Sequence, residues 1–223
     1  MKKTKVGLIV VCVMFCFSCG SKHERNSDDA LDLISQRSAE DVLTNSAKNK
    51  EILDLIRKVL HWKESDTTFC MHPFQAENDG VLVGFDAALI QKNMVILRST
   101  GLFSKVFVDN YKKLMFALDD KIRRGAYGEC FANEMPPYKF ATDVDPWTLS
   151  QDVPYDEPNP LDYVEIFVIK LDDKNGELNW KWGRLPSNVS SDWKDFAYKF
   201  KVVKEDGKWK ISYLQGFDYE NNI

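Results

Sequence analysis

The sequence predicts an α+β fold, in which N-terminal helices pack on an antiparallel β-sheet. Up to about residue 123, apolar residues recur at intervals of three and four, which is the period of an α-helix. Beyond Pro136 the apolar period changes to two, as in β-strands. Two dipeptides typical of tight hairpin turns, Asn175-Gly176 and Asp206-Gly207, interrupt this alternation. The change of period therefore separates a helical half from a sheet half.

The first 19 residues have the organisation of a bacterial lipoprotein signal peptide. Lysines at positions 2, 3 and 5 precede an apolar run at 6–17, which is shorter than the roughly 20 residues that span a bilayer. The run leads into Ser18-Cys19-Gly20, which resembles the lipobox of Bacteroidetes lipoproteins. This resemblance implies that Cys19 carries the lipid. A plain secretory signal or an uncleaved anchor helix is the alternative.

The chain is expected to divide into three parts. Residues 1–18 form the signal peptide, residues 19–45 the lipid anchor and a tether, and residues 46–223 a single α+β domain. Two or three acyl chains on one cysteine give stable attachment, because each buried methylene contributes about 0.8 kcal/mol. We therefore expect the domain to be held at the outer membrane, on its periplasmic or its external side.

Three helices are predicted in the first half of the domain. The clearest covers residues 47–63, where apolar residues form one stripe and Ser46 is available as the N-cap. A weaker helical pattern precedes it at 31–42. Asp86 is the expected cap of the second helix, and a third runs from residue 102 to about residue 123. We expect the aromatic residues of the third helix to form the core, with a ligand-binding cluster as the alternative.

The second half of the domain is predicted to form hairpins. Residues 163–171 are apolar on both faces, as is expected of a central strand or of one covered on both sides. The first tight turn leads into residues 178–184, where Trp180 and Trp182 share a face at a spacing of two. Alternation returns at 196–202 and continues after the second tight turn. The strands therefore pair as an antiparallel sheet.

Composition and charge restrict the class of partner. The 223 residues are 44% hydrophobic and 29% charged, which is typical of a globular domain and not of a disordered tail. The net charge is −4, and it becomes −7 once the first 18 residues with their three lysines are removed. We therefore expect no binding to nucleic acid through overall charge.

The cysteines predict one disulfide. Cys12 and Cys16 lie in the signal peptide and Cys19 is the expected lipidation site, which leaves Cys70 and Cys130. In an oxidising compartment such a pair indicates a bridge, with two buried free thiols as the alternative. A bridge across about 60 residues would stabilise the fold by roughly 4 kcal/mol.

No metal site or cofactor is predicted. His61 and His72 are the only histidines of the domain, and no Cys-x-x-Cys or His-x-x-x-His spacing occurs. The acidic segment 143–162 lacks the pattern of a calcium-binding loop, and its four prolines favour an irregular surface connection. Phosphate-binding loops, dinucleotide fingerprints and nucleophile elbows are also missing from the sequence.

The closing hairpin at residues 202–211 carries Asp206-Gly207 at its turn and Trp209 after it. Helices followed by a long sheet with this ending resemble the nuclear-transport-factor-two-like, or cystatin-like, superfamily. Two shorter motifs, residues 102–111 and 145–152, resemble a family of bacterial envelope proteins of unknown function. The resemblance covers about residues 47–216. It implies a curved, cone-like sheet around the helices and supplies no catalytic residues.

The predicted function is binding without turnover. In a cone-like fold the open end can hold a pocket, and we expect Tyr111, Trp180 and Trp182 to contact a ligand there by stacking. The protein would then be a lipid-anchored module that binds an unknown protein, glycan or small molecule. One alternative is an immunity or inhibitor protein against an effector enzyme. Another is a small-molecule isomerase or hydrolase, with His61 and an acidic neighbour as the base.

Overall fold

The computed structural model describes the backbone of residues 27–223 and the side chains of residues 46–223, and it confirms the α+β class. The predicted signal peptide, the lipidated Cys19 and the tether up to residue 26 lie outside the described residues. The helices are α1 (Ser27–Ser65), α2 (Ala87–Ser99), α3 (Lys105–Arg123), α4 (Ser191–Asp195) and α5 (Tyr219–Asn222), with 3₁₀ turns at Pro160–Tyr163 and Gln215–Phe217. None of these helices has the length and apolar character needed to cross a membrane.

Within residues 27–223, six strands form two antiparallel sheets. They are β1 (Phe74–Ala76), β2 (Leu82–Phe85), β3 (Glu165–Leu171), β4 (Asn175–Lys181), β5 (Tyr198–Glu205) and β6 (Lys208–Leu214). Strands β1 and β2 pair with each other, and the larger sheet has the order β3-β4-β5-β6. Along β4, β5 and β6, buried residues alternate with more exposed ones, so one face of the larger sheet contributes to the core.

Helix α1 joins two segments that the sequence indicated separately. The stripe predicted at 47–63 is buried at Ile52, Leu55, Ile56, Val59 and Leu60. The helix begins at Ser27, however, so Ser46 lies inside it and is not its cap. The two segments merge because residues 27–65 contain neither glycine nor proline to end the helix between them.

The caps of α2 and α3 are polar side chains. The Asp86 carboxylate accepts hydrogen bonds from the backbone N–H groups of Ala88 and Leu89, at 2.7 and 3.3 Å, as predicted for an N-cap. Helix α3 starts three residues later than predicted. Residues 102–104 instead pair with β6, where the Ile211 N–H donates to the Leu102 carbonyl at 2.9 Å.

The structure confirms one of the two predicted hairpin turns and places the other earlier in the chain. Asp206 and Gly207 both have positive φ, 53° and 75°, and form the tight turn between β5 and β6 as predicted. The turn between β3 and β4 lies earlier than Asn175-Gly176, which belongs to β4. Asp172 causes the shift, because its carboxylate accepts the N–H groups of Lys174 and Asn175, both at 2.7 Å.

Strand β3 lies at the edge of the sheet, so the prediction of a central or doubly covered strand is wrong. Its apolar residues Phe167, Val168 and Ile169 are 47%, 42% and 56% exposed. A register irregularity between Val168 and Lys170 interrupts its pairing with β4. An apolar run alone does not distinguish a covered strand from an edge strand protected by a bulge and by neighbouring charges.

Candidate functional site

A cleft of about 500 Å³ lies beside the C-terminal end of α1. Its lining comes from two stretches of chain, residues 62–71 and residues 141–151. The first stretch is the last turn of α1 and the loop after it. The second belongs to the proline-containing acidic connection between α3 and the larger sheet. The cleft therefore joins the helical half of the fold to the segment that leads into the sheet.

Three aromatic rings form one side of this cleft, and we call Trp62, Phe69 and Trp147 the aromatic wall. Ring centroids are 5.4 Å apart between Trp62 and Trp147, 6.0 Å between Trp62 and Phe69, and 5.7 Å between Phe69 and Trp147. All three pairs meet edge to face, which is a favourable arrangement for aromatic quadrupoles. Trp147 is 1% exposed, whereas Trp62 and Phe69 are half-buried. The wall is thus an aromatic surface with one ring fixed in the core.

A tight turn in residues 145–150 directs Trp147 into the core. One carboxylate oxygen of Asp145 accepts the Trp147 N–H at 2.9 Å. The Asp145 carbonyl accepts the N–H of Leu149 at 2.7 Å, and the Asp145 N–H donates to the Ser150 carbonyl at 3.2 Å. An aspartate that bonds backbone groups two residues ahead is a common turn device. This turn sets the position of the indole that forms the base of the wall.

The same loop is attached to the end of the chain through Tyr198. The buried Tyr198 hydroxyl donates to the Pro146 carbonyl at 2.8 Å and accepts the Gly216 N–H at 3.1 Å. Burial raises the pKa of Tyr198 far above its usual value, so the phenol stays protonated. Gly216 lies so close to Pro146 that a Cβ there would collide with the Pro146 carbonyl. The loop, β5 and residues 215–217 therefore fit together tightly.

The polar lining is mainly acidic. It contains Asp66, Asp143 and Asp145 against Lys63, whose ammonium group forms an ion pair with Asp145. Burial acts to raise the pKa of Asp66, but hydrogen bonds from the Thr68 hydroxyl and backbone and from the Phe69 N–H outweigh it and hold the pKa below its usual value. Asp66 is therefore a fixed negative charge at neutral pH.

The His72 side chain connects the cleft residue Ala141 to Tyr138 through hydrogen-bond contacts. Its Nε2 lies 3.1 Å from the carbonyl oxygen of Ala141, and its Nδ1 lies 3.1 Å from the Tyr138 hydroxyl. A carbonyl can only accept, so Nε2 carries the proton and Nδ1 accepts from Tyr138. Burial lowers the pKa of His72, and the bond to Ala141 offsets part of this effect. The imidazole is thus held neutral as a structural link to the cleft.

The predicted ligand-binding residues lie in the core and do not line this cleft. Tyr111, Trp180 and Trp182 are only 1%, 0% and 3% exposed. Trp180 and Trp182 do share a face, with centroids 5.0 Å apart, but Phe196 and Tyr198 pack against it. The expectation that these tryptophans are available for stacking is therefore wrong. Strand alternation shows which side chains share a face but not which segment covers that face.

Two other candidate groups also differ from expectation. Cys70 and Cys130 are free thiols, so the structure does not contain the predicted disulfide. They belong to separate surroundings, because the Cys70 N–H bonds the Asn93 side chain and the Cys130 carbonyl bonds Leu82 of β2. Within the described residues, no cluster of three or more histidine, cysteine or acidic side chains is arranged to hold a metal ion.

His61 does have the acidic neighbour that the enzymatic alternative required. Its Nε2 lies 2.9 Å from an Asp162 carboxylate oxygen, and its Nδ1 lies 3.5 Å from Glu64. The imidazole is partly exposed and does not line the cleft of about 500 Å³. These three side chains form a polar cluster on the surface beside α1.

The residues of the aromatic wall were not predicted as a site. Residues 145–152 were noted only for a resemblance to a family, although the Asp145-Pro146-Trp147 order itself indicates a turn that fixes an indole. Trp62 lies three positions after Val59, on a continuation of the buried stripe of α1. Both signals are local, whereas the contact between Trp62 and Trp147 joins residues far apart in the sequence.

Comparison with known proteins shows little similarity. No protein-family model matches the chain, and no curated protein matches it. One solved structure, a protein of unknown function from Bacteroides thetaiotaomicron, is similar with a TM-score of 0.37 and 15% sequence identity. The similarity covers 80% of this chain and 98% of that one. The fold and the site together describe an α+β protein whose cleft is lined by aromatic and acidic side chains.

Proposed function

We propose that the protein is a lipid-anchored, non-catalytic binding protein of the bacterial envelope whose ligand enters the cleft. The aromatic wall carries this proposal. Half-buried Trp62 and Phe69 present ring surface to a space of about 500 Å³, which is the size range of small-molecule sites. The buried Trp147 beneath them makes this surface rigid. A rigid surface loses little conformational entropy when it binds.

The state of the cleft's ionisable groups favours binding over proton transfer. The Lys63 ammonium is occupied by Asp145, and hydrogen bonds keep Asp66 ionised. A general acid or base at neutral pH needs a pKa moved towards 7, and that of Asp66 is moved away from it. His72, the histidine near the cleft, uses both ring nitrogens in structural hydrogen bonds. These groups can orient a ligand without reacting with it.

The envelope location rests on the sequence of the N-terminus. A basic start, an apolar run at 6–17 and Ser18-Cys19-Gly20 support lipidation of Cys19. We expect the wild-type protein to sediment with membranes and Cys19→Ala to appear in the soluble fraction or as an uncut precursor. Cys12→Ala should behave as wild type. A native protein whose intact mass shows an unmodified Cys19 would contradict the anchor.

Binding in the cleft can be measured with a neutral apolar dye, N-phenyl-1-naphthylamine, whose fluorescence rises when it leaves water. We expect saturable binding to the full chain and at least a tenfold loss of affinity in Trp62→Ala. Trp193→Ala is the matched control, because Trp193 is a half-buried indole of α4 that does not line the cleft. Equal affinities of the two variants, or no saturation, would refute the proposed site.

A further inference from the structure

We infer that the cleft selects an organic cation, a ligand with an ammonium group on a small apolar body. This inference deepens the proposed function and rests on it. It combines three features of the same place: the charges of the lining, the aromatic wall and the end of helix α1. Each of them favours positive charge for its own physical reason.

The charges of the lining do not balance. Lys63 and Asp145 offset each other in their ion pair. Asp66 and Asp143 also line the cleft, and neither has an ion-pair partner among the described residues. Two negative charges therefore face the space without compensation. A carboxylate or phosphate ligand would meet repulsion here, and a cation would meet attraction.

Asp66 is also positioned to receive a ligand. Its Oδ1 accepts the N–H groups of Thr68 and Phe69 at 2.6 and 3.3 Å, and the Thr68 hydroxyl at 2.7 Å. These bonds hold the carboxylate in one orientation, so its negative charge keeps a fixed place at the cleft. A cation attracted to this charge requires no rearrangement of the loop.

The aromatic wall gives a second reason for a cation. An ammonium group is attracted to the negative face of an indole, most strongly where water is partly excluded. Trp62 precedes Asp66 by four residues at the end of α1, so the indole and the carboxylate arise from neighbouring turns of chain. A cation near both gains from the ring and from the charge together. A neutral ligand gains only from the ring.

Helix α1 supplies the third reason. The helix ends at Ser65, and the cleft begins at Trp62 in its last turn. The final carbonyl groups of a helix carry the negative end of its dipole, which stabilises positive charge nearby. The cation would thus lie beside the last turn of this helix, at the negative end of its dipole.

Choline is a suitable probe for this inference. It carries a quaternary ammonium group, which has no N–H to donate and so interacts through its positive charge, on a small apolar body.

The test compares choline with 3,3-dimethylbutan-1-ol, in which carbon replaces the charged nitrogen at nearly the same shape. Titration calorimetry on the full chain should show choline binding at least tenfold more tightly, with an affinity that falls as salt is raised. Asp143→Asn should weaken choline several-fold and leave the neutral alcohol unchanged. Asp192→Asn, an exposed acid of α4, is the matched control and should change neither affinity.

The outcomes separate this inference from the proposed function. If the alcohol binds as tightly as choline, or if Asp143→Asn has no effect on choline, selection for a cation is refuted. If neither molecule binds while the neutral dye still saturates the cleft, the inference fails and the binding function stands. If the dye does not bind either, the proposed binding function is refuted as well. Asp143 is exposed on a loop, so its substitution should leave the fold intact.

Discussion

At the scale of single residues, the Tyr198 side chain links the loop that contains Pro146 to the 3₁₀ turn that contains Gly216. Its hydroxyl lies between the Pro146 carbonyl and the Gly216 N–H, both of which are withdrawn from water. A buried backbone group without a partner costs about 1–3 kcal/mol. The phenol oxygen of Tyr198 is therefore the hydrogen-bond partner of two buried backbone groups, the Pro146 carbonyl and the Gly216 N–H.

We predict that Tyr198→Phe lowers the free energy of unfolding by about 1–3 kcal/mol, because it leaves Pro146 and Gly216 unpaired. Urea denaturation measures the change. Tyr213→Phe is the control, since its hydroxyl bonds Asp218 at 2.8 Å in a half-exposed position where water can replace it. If the two variants lose equal stability, the two hydrogen bonds of the buried Tyr198 hydroxyl stabilise the fold no more than the half-exposed bond of Tyr213.

His72 makes stability depend on pH. Its pKa is lowered in the folded state, so the unfolded chain binds a proton more readily. Stability is then complete above the ordinary histidine pKa of 6.5 and decreases as the pH falls through that value towards the lowered folded pKa. Protonation would also turn Nδ1 into a donor, and the Tyr138 hydroxyl would then have to rotate and accept this bond.

We therefore predict that the wild-type protein loses stability between pH 7 and pH 5, and that His72→Gln removes much of this loss. The melting temperature measured across this range checks the prediction. A His72→Gln protein that follows the wild-type curve would show that this imidazole does not control the transition.

One predicted cap and one predicted turn are confirmed because their causes are local. Asp86 caps α2 through N–H groups two and three residues ahead, and Asp206-Gly207 forms its turn because both residues adopt positive φ. Tyr111 and Trp180 could not be assigned in this way. Their exposure depends on segments distant in the chain, and the sequence pattern is the same for a ring in the core and a ring in a cleft.

At the scale of elements, burial does not follow apolar content, because β3 carries more apolar residues than its neighbour β4 and is the more exposed strand. Strand β4 buries Leu178 and Trp180 completely, while β3 leaves Phe167 about half exposed. Helix positions were predicted more accurately, because a buried stripe on a helix requires a covering element. An apolar strand carries no such information about its place in the sheet order.

This difference predicts unequal effects of truncation. Trp180→Ala should lower the free energy of unfolding by about 3–5 kcal/mol, because it leaves a large cavity against Trp182 and Tyr198. Phe167→Ala, on the exposed edge, should cost less than about 1 kcal/mol. Chemical denaturation of the two variants provides the comparison. Similar losses would mean that β3 is covered in solution.

At the scale of the whole molecule, the α+β class follows from the change of apolar period near Pro136, and the structure has that class. The cone-like curvature of the sheet stays a prediction. The cleft could not be derived from periodicity, because it forms where the end of α1 and the loop after it meet an irregular segment. Irregular segments have no period, and their contacts depend on particular bonds such as those of Asp145 and Tyr198.

The bond between Tyr198 and Gly216 also concerns the order in which a ribosome makes the protein. Residues 62–71 and 141–151 are synthesised well before position 216, yet the second stretch has all of its packing contacts only when Gln215–Phe217 lies against Pro146. The C-terminal residues must therefore leave the exit tunnel before the cleft is complete. A chain cut short after β5 would contain every lining residue and still lack a finished site.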